Sequence, residues 1–271
     1  MKNLLSIFAL IFFQILYCQE ENEMYSSFDF EKNSIQKILS HKTKLRENPD
    51  LNAAILDSLD ISQNIKIISR TSELTKIGER NAPWFRISYD KNGTSGEGFI
   101  WGGNIALGHR KYKDIQFLFG ITSTQKIKNK DFDDEHDEMI AKIVALKDDQ
   151  VISERNFEMG TSDNLAGYSF KILENQGLKN VDIILHTLVS GEACGIPNYE
   201  QYFLWTKNSF YKLPKLMSVG DADIFSHSEE YLFQKGGKII LKTEDYEKDE
   251  NEKEKASKRS KTYIWDGESL K

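Results

Sequence analysis

Apolar and polar residues alternate in short runs along most of the chain, and this period of two is typical of β-strands, whose successive side chains point to opposite faces. Turn-forming residues bound many of the runs, as at Asn175–Gly177, Lys235–Gly237 and Asp266–Gly267. Helical periodicity is sparse, so the pattern predicts a mainly all-β protein with antiparallel strands and at most one or two short helices. The clearest strands are Leu165–Leu173, Val181–Val189, Tyr202–Trp205, Tyr231–Phe233, Lys238–Lys242 and Lys261–Trp265.

The pattern of one segment, Asp134–Lys147, is compatible with either a helix or a strand. Acidic residues at its start and apolar residues between Met139 and Val144 at helical spacing favour a helix. The same run also fits a strand, because Ile140, Lys142 and Val144 would share one face. Both interpretations remain open from the sequence.

A second segment, from Thr243 to Ser260, is densely charged with both signs. Such stretches are usually solvated loops or the tips of strands. The sequence therefore predicts a long hairpin here, with a disordered far end at about residues 247–257.

Between residues 38 and 107, alternation assigns side chains to two faces of a sheet. Arg86 prefers water, so its neighbours Phe85 and Ile87 are expected in the core, and Ile100 is assigned to the core in the same way. An Asn-Gly turn joins the two strands and should bring their outer residues side by side. The outward aromatic residues, which are the candidate ligand-binding residues, are Trp84, Phe99 and Trp101.

This segment resembles a bacterial SH3 (SH3b) domain, because five pieces occur in the order and spacing of that family. It departs from the family at Asn48, where a glycine is usual, and at Arg70–Ala82, which is a longer connection. The resemblance implies a small β-barrel over residues 38–107. Beyond it, the strand pattern predicts a larger, β-rich antiparallel meander domain of unrecognised family over residues 108–271. The five pieces that carry the resemblance are Lys44–Pro49, Ala54–Leu59, Lys66–Ser69, Pro83–Tyr89 and Gly96–Gly103.

The resemblance also implies a function for the outward aromatic residues. A half-exposed aromatic patch is the usual way in which a small barrel grips a peptide, here a cell-wall peptide or a protein segment. The alternative is that the same aromatic side chains pack against the C-terminal domain. A small barrel that continues into a larger domain with almost no Pro/Gly linker favours the second interpretation.

The N-terminus has the pattern of an export signal. Lys2 precedes an apolar run, Leu4–Tyr17, which is shorter than the ~20 residues that a membrane-spanning helix needs. Residues 1–18 are therefore predicted to be a signal peptide, and residues 19–37 a polar lead-in. Cys18 is either the last residue before cleavage or the acylated first residue of a lipoprotein. The mature chain is expected in the periplasm or outside the cell, without a transmembrane span.

Composition narrows the class of partner. The 36 Lys and Arg residues and 42 Asp and Glu residues give a net charge of −6, so no basic excess supplies general affinity for nucleic acid. The two cysteines exclude a disulfide-rich scaffold and a four-cysteine zinc site. Hydrophobic residues make up 39% of the chain, which is enough to build a packed core.

The sequence offers few candidates for catalysis. Cys194 could pair with His186 or His227, but it lies among turn formers and not at the start of a helix. The five histidines form no metal-binding motif, and the acidic run Asp131–Glu138 lacks the glycine and glutamate of a calcium-binding loop. Since no glycine-rich phosphate loop occurs either, the sequence predicts no catalytic, metal-binding or cofactor-binding residue.

We therefore expect a non-catalytic exported binding protein whose SH3b-like domain recognises a peptide. Two alternatives stay open at this point. The protein could be a cell-envelope hydrolase that uses Cys194, or an accessory or structural module of an envelope assembly.

Overall fold

The structure is a computed structural model that describes residues 28–128, 135–161, 165–222, 224–249 and 251–271. Within these ranges the chain is nearly all strand, with a 3-10 turn at Gly102–Asn104, which confirms the all-β prediction. The export signal and Cys18 lie outside the described residues. The strands are β1 Ile35–Lys37, β2 Thr43–Arg46, β3 Ile55–Leu59, β4 Asn64–Ile77, β5 Arg80–Lys91, β6 Thr94–Trp101, β7 Gly108–Tyr112, β8 Ile115–Lys128, β9 Glu135–Lys147, β10 Gln150–Thr161, β11 Leu165–Glu174, β12 Ile183–Gly191, β13 Asn198–Thr206, β14 Ser209–Lys212, β15 Leu216–Asp221, β16 Phe225–Gln234, β17 Lys238–Lys248 and β18 Glu254–Ile264.

The first six strands form an antiparallel sheet in the order β1-β4-β5-β6-β2-β3, which we call the N-terminal sheet. The sheet curls around a core that contains Phe85, Ile87 and Ile100, all fully buried, while Arg86 is exposed. The alternation that assigned these residues to the core is thus confirmed. Strand β1 corrects the predicted lead-in, because Ile35–Lys37 pairs with β4 and is too short and polar to give a strand pattern.

Strands β7 to β10 form a second sheet in the order β10-β9-β8-β7, which we call the inner sheet. One of its faces packs on the long sheet, which is built from β11 to β18. Aromatic rings fill the space between the two sheets. The rings of Phe117 and Trp205 lie 5.1 Å apart in an edge-on contact, and those of Phe157 and Phe203 lie 4.9 Å apart.

Strand β9 shows that the helical interpretation of Asp134–Lys147 is wrong. Ile143 faces the inner sheet's contact with the long sheet, whereas Val144 faces the N-terminal sheet, and both are fully buried. A strand that is buried on both faces is apolar almost throughout, and such a run mimics a buried helix. The residues that pack between the N-terminal and inner sheets are Leu39, Ile61, Ala106, Leu118, Val144 and Leu146.

The connection between these two sheets is itself buried. Ile105, Ala106 and Leu107 are at most 6% exposed, and the backbone N–H of Ala106 donates to Lys37 O at 2.9 Å. The connection therefore runs through packed structure and is not an open linker.

The long sheet carries a second core on its other face. Trp265 closes that core at the C-terminus, where its indole N–H donates to Lys179 O at 2.8 Å. Strands β17 and β18 form the predicted hairpin, but the predicted disorder at residues 247–257 is wrong where the structure describes them. Opposite charges face each other across the hairpin, as in the Glu244–Lys258 pair at 2.9 Å, so dense charge stabilises the strands.

Candidate functional site

Trp84 and Trp101 are direct partners in the β5–β6 ladder, so their side chains lie next to each other on the face opposite to Phe85. Alternation predicted this direction correctly. It did not predict their exposure, because Trp84 is only 2% exposed and Trp101 only 3%. The two indoles therefore point away from the core as predicted, but the prediction that they form a half-exposed patch is wrong.

The β4–β5 hairpin explains this burial, since its extension folds over both rings. Thr75 accepts a hydrogen bond on its hydroxyl oxygen from Trp84 Nε1 at 2.8 Å and on its carbonyl oxygen from Trp101 Nε1 at 2.9 Å. Ile77 and Ala82 pack on the same rings. The extension includes Arg70–Ala82, the long connection that the SH3b pattern does not contain, so a segment outside that pattern buries the two rings.

Arg80 secures the hairpin to the rest of the molecule. Its guanidinium lies 4.6 Å from the centre of the Trp101 ring and donates to Gly103 O at 3.0 Å and to Ile121 O at 2.5 Å. Burial lowers the pKa of this guanidinium to about 10. Because Ile121 belongs to β8, Arg80 links the hairpin to the inner sheet.

The alternative in which the outward aromatic residues form the domain contact is also wrong for the tryptophans. They cluster with Ala82, Ile77 and Phe99 of their own sheet. The contact between the two sheets is made by other residues, among them Leu39 and Val144.

A small groove of about 210 Å³ opens beside the tryptophan pair, and we call it the tryptophan groove. Its apolar lining consists of Leu51, Ile77, Trp84 and Trp101. None of the described residues that line the groove is acidic. The basic side chains of its rim are His41, Lys42, Lys44 and Arg46.

Phe99, the third candidate aromatic residue, is half-buried and lies on the neighbouring surface. It lines a shallow depression of about 190 Å³ together with Leu56. Register places Ile55, Arg46 and Phe99 in one row across β3, β2 and β6, so these side chains share a face. Apolar side chains are exposed along this surface, with Leu51 43%, Ile55 52% and Leu56 53% accessible.

The candidate cysteine, Cys194, is a free and exposed thiol in the turn between β12 and β13. His186 lies five residues before the end of β12 at Gly191, a distance of roughly 17 Å at ~3.3 Å per residue. Its imidazole is 2.7 Å from Glu200 and stacks on Tyr202. These contacts do not bring His186 and Cys194 together.

His227 lies nearer to that turn, because Gly195 N donates to Gly220 O at 2.8 Å and the adjacent Val219 pairs with His227. However, the imidazole Nδ1 is 2.7 Å from Asp245, and Nε2 faces Glu229 at 3.9 Å. The hydrogen bonds to Asp245, chiefly that with His227 and then those from Arg259 and Ser257, lower the pKa of its carboxyl to about 2. Both carboxylates orient the ring within β16 and β17, and its contacts do not include the thiol.

Sequence reasoning missed the larger clefts at the junction of the N-terminal and inner sheets. One has a volume of about 520 Å³ and contains His109 and Arg110, with Asp29 and Glu31 opposite. The ring of His109 reaches the backbone of Ile35, and burial lowers the pKa of that ring. An adjoining cleft of about 560 Å³ is lined by both lysine and aspartate side chains. Strands distant in sequence meet here, so no local pattern could have indicated these clefts.

The described residues contain no group of three or more histidine, cysteine, aspartate or glutamate side chains placed to hold a metal ion. Residues 131–134 of the acidic run lie outside them. No helix in the described ranges has the length and apolar character needed to cross a bilayer. Comparisons of this chain with protein-family models, with curated proteins and with solved structures find no match.

Proposed function

We propose that this protein is a non-catalytic exported binding protein whose N-terminal sheet, like an SH3b domain, holds a peptide segment of the cell wall or of a protein. The observation that carries the proposal is the tryptophan groove together with the exposed apolar side chains beside it. Leu51, in the loop before β3, and Ile55 and Leu56, in β3, are each more than two-fifths accessible. Soluble proteins that expose adjacent apolar side chains commonly use them for binding.

The size of the groove favours a peptide over a small molecule. Sites for drug-sized ligands usually enclose ~300–1,000 Å³, whereas the tryptophan groove offers about 210 Å³. A volume of this kind suits one side chain of a longer ligand that continues over the surface. Leu56 and Phe99 line the next depression and supply a second contact.

The edge of the sheet supports an extended conformation of the ligand. Strand β3 is the last strand in the order of the N-terminal sheet and carries Ile55 and Leu56. An edge strand presents backbone groups to which an extended peptide can add as a further strand. Export is part of the proposal and rests on the sequence of residues 1–18, outside the described residues.

A sedimentation experiment tests the proposal. Purified protein is incubated with insoluble peptidoglycan, and both the pelleted protein and the released fragments are measured. We expect pelleting without release, and we expect the double substitution Leu56→Ser and Phe99→Ser to abolish pelleting. Leu74→Ser, which changes a 56% exposed leucine on the same sheet, is the matched control and should pellet like the wild type.

Other outcomes favour the alternatives. Release of fragments that disappears with Cys194→Ala would favour a hydrolase, for which the exposed thiol near the β15–β16 pair is the relevant observation. Protein that neither pellets nor releases fragments, and binds no peptide in solution, would contradict the proposal and favour an accessory role.

A further inference from the structure

The rim of the tryptophan groove carries the opposite charge to the chain as a whole. The protein has a net charge of −6, yet the described residues around this groove include Lys42, Lys44 and Arg46 and no carboxylate. In β2, Thr43 and Leu45 are buried, so alternation directs Lys44 and Arg46 together to the outer face.

These basic side chains differ from Lys91 and Arg86 of the same sheet. Lys91 pairs with Asp57 at 2.8 Å, and Arg86 pairs with Glu97 at 2.8 Å. Among the described residues, no carboxylate lies within ion-pair distance of the side chains of Lys42, Lys44 or Arg46. The groove therefore presents positive charges that no described carboxylate pairs with.

Two neighbouring contacts fix the geometry of this rim. Arg46 Nη1 donates to Ala53 O at 2.7 Å, which anchors the arginine to the loop that carries Leu51. The carboxylate of Asp60 accepts from the backbone N–H of Lys42 at 3.3 Å and lies 3.4 Å from His41. Asp60 thus holds the backbone of the rim and leaves the ammonium group of Lys42 available.

We propose that the tryptophan groove selects extended peptides that carry carboxylate groups, and this inference rests on the proposed peptide-binding function. An apolar side chain of the ligand enters the groove beside the buried indoles and packs on Leu51 and Ile77. Carboxylates on either side of it pair with Lys42, Lys44 and Arg46. Apolar burial supplies contact area, while charge pairing supplies selectivity and faster association.

A nucleic acid is the competing ligand for a surface that combines aromatic and basic residues. Binding of single strands relies on bases that stack on exposed aromatic faces. Trp84 and Trp101 are 2% and 3% exposed and lie beneath a hairpin, so a base has little indole surface on which to stack. This burial favours a peptide over an oligonucleotide.

The test uses three labelled octapeptides that share two leucines and carry glutamate, glutamine or lysine at the other positions. Binding is measured by fluorescence anisotropy at low and at high salt. We expect the glutamate peptide to bind about tenfold more tightly than the isosteric glutamine peptide, since three basic side chains are available and each exposed ion pair contributes a small factor. The preference should shrink at high salt, because salt screens exposed charges.

A charge-reversal pair assigns the effect to the groove. Lys42→Glu with Lys44→Glu should remove the preference for the glutamate peptide. Lys66→Glu with Arg70→Glu, at exposed positions of β4 on the same sheet, is the matched control and should keep it. Lys42→Gln with Lys44→Gln provides a milder version, and urea midpoints confirm that each variant is folded.

The outcomes separate this inference from the proposed function. Equal affinity for the glutamate and glutamine peptides would overturn the charge selectivity while leaving peptide binding in place. Failure of all three peptides to bind, with no pelleting on peptidoglycan, would overturn both. Tighter binding of a single-stranded oligonucleotide than of the glutamate peptide would also overturn the inference that the groove selects carboxylate-bearing peptides.

Discussion

Trp84 and Thr75 are joined across the β4–β5 hairpin by a hydrogen bond of 2.8 Å from the indole Nε1 to the threonine hydroxyl. The same residue accepts the indole N–H of Trp101 on its backbone carbonyl. One threonine thus satisfies both buried indole donors, and the hairpin that carries it forms a roof over the tryptophan pair. The shape of the tryptophan groove depends on this roof.

Thr75→Val should destabilise the protein, because valine keeps the shape of the side chain but leaves Trp84 Nε1 without its acceptor. A buried donor left unsatisfied costs ~1–3 kcal/mol. Urea unfolding followed by tryptophan fluorescence measures the change. Thr94→Val, at an exposed position of β6, is the control and should change stability little. Equal stability of the Thr75 variant and the wild type would show that this hydrogen bond contributes nothing net.

Gly103→Ala should disturb the groove from below. A methyl group at this position would lie 2.1 Å from an atom of the Trp101 ring, so the ring must move. We expect a shift in tryptophan emission and weaker binding of any peptide held by the groove. Gly220→Ala is the control, because a methyl group there would lie 3.4 Å from its nearest atoms, an ordinary contact distance. Gly93→Ala is less suitable, since the φ of Gly93 is positive and an alanine would be strained.

Local alternation predicted the parts of the fold that depend on neighbouring residues in one strand. It identified Ile87 as core and placed Trp84 beside Trp101, because both facts follow from the period of two and one Asn-Gly turn. It failed where a distant element decides the environment. The burial of Trp84 depends on a hairpin extension whose own sequence is mostly polar. The alternation of residues around Trp84 does not indicate that this extension covers the ring.

The same limit applies to the candidate site. Leu56 is the residue that the β2–β3 pairing skips, and Leu51 lies in the loop between these strands, so the exposure of both leucines accompanies pairing and loop structure that composition does not show. The unpaired state of Lys42 and Lys44 depends on which carboxylates fold nearby. Charge counting over the whole chain, which gave −6, could not show a local surface of opposite sign.

Ile87→Ala should cost about 2–5 kcal/mol, since the side chain is fully buried in the N-terminal core and its removal leaves a cavity. Arg86→Ala should cost much less, because Arg86 is exposed and loses only its ion pair with Glu97. The two variants are compared by their midpoints in urea. Similar midpoints would contradict the register of β5.

Ile61→Asp should loosen the contact between the N-terminal and inner sheets. Ile61 is 6% exposed and packs in the cluster with Val144 between the two sheets, apart from the core of either one. The wild type should resist thermolysin at Ile105–Leu107, where the connection is buried, and the variant should be cut there. Leu74→Asp, at an exposed leucine, is the control. Rapid cleavage of the wild type at the connection would show that the sheets move independently.

Asp57→Asn should remove a contribution to stability that depends on pH in a defined direction. Asp57 accepts hydrogen bonds from Lys91 Nζ at 2.8 Å, from the Tyr89 hydroxyl at 2.7 Å and from Ser58 N at 2.6 Å. These bonds, with that from Lys91 as the largest cause, lower the pKa of the Asp57 carboxyl from 3.8 to about 2. A carboxyl with a lowered pKa binds its proton less tightly when the protein is folded. Its contribution is therefore present above pH 3.8 and disappears as the pH falls towards about 2.

The measurement compares the free energy of unfolding of the wild type and of Asp57→Asn between pH 2 and pH 6. We expect the wild type to be more stable at pH 5 to 6, and the difference to shrink below pH 4 and to be mostly lost at about pH 2, where the folded carboxyl itself takes up its proton. Tyr89 gives a second pH dependence, at alkaline pH. Its hydrogen bond to Asp57 raises the pKa of the phenol to about 12, so the stability that this bond contributes is lost as the pH rises from 10 towards 12. Glu73→Gln, at an exposed position of β4, is the control and should leave the pH profile unchanged. A difference between wild type and Asp57→Asn that is as large at pH 2 as at pH 6 would contradict the assignment, since at pH 2 the folded carboxyl is partly protonated and holds the charge of Lys91 less strongly.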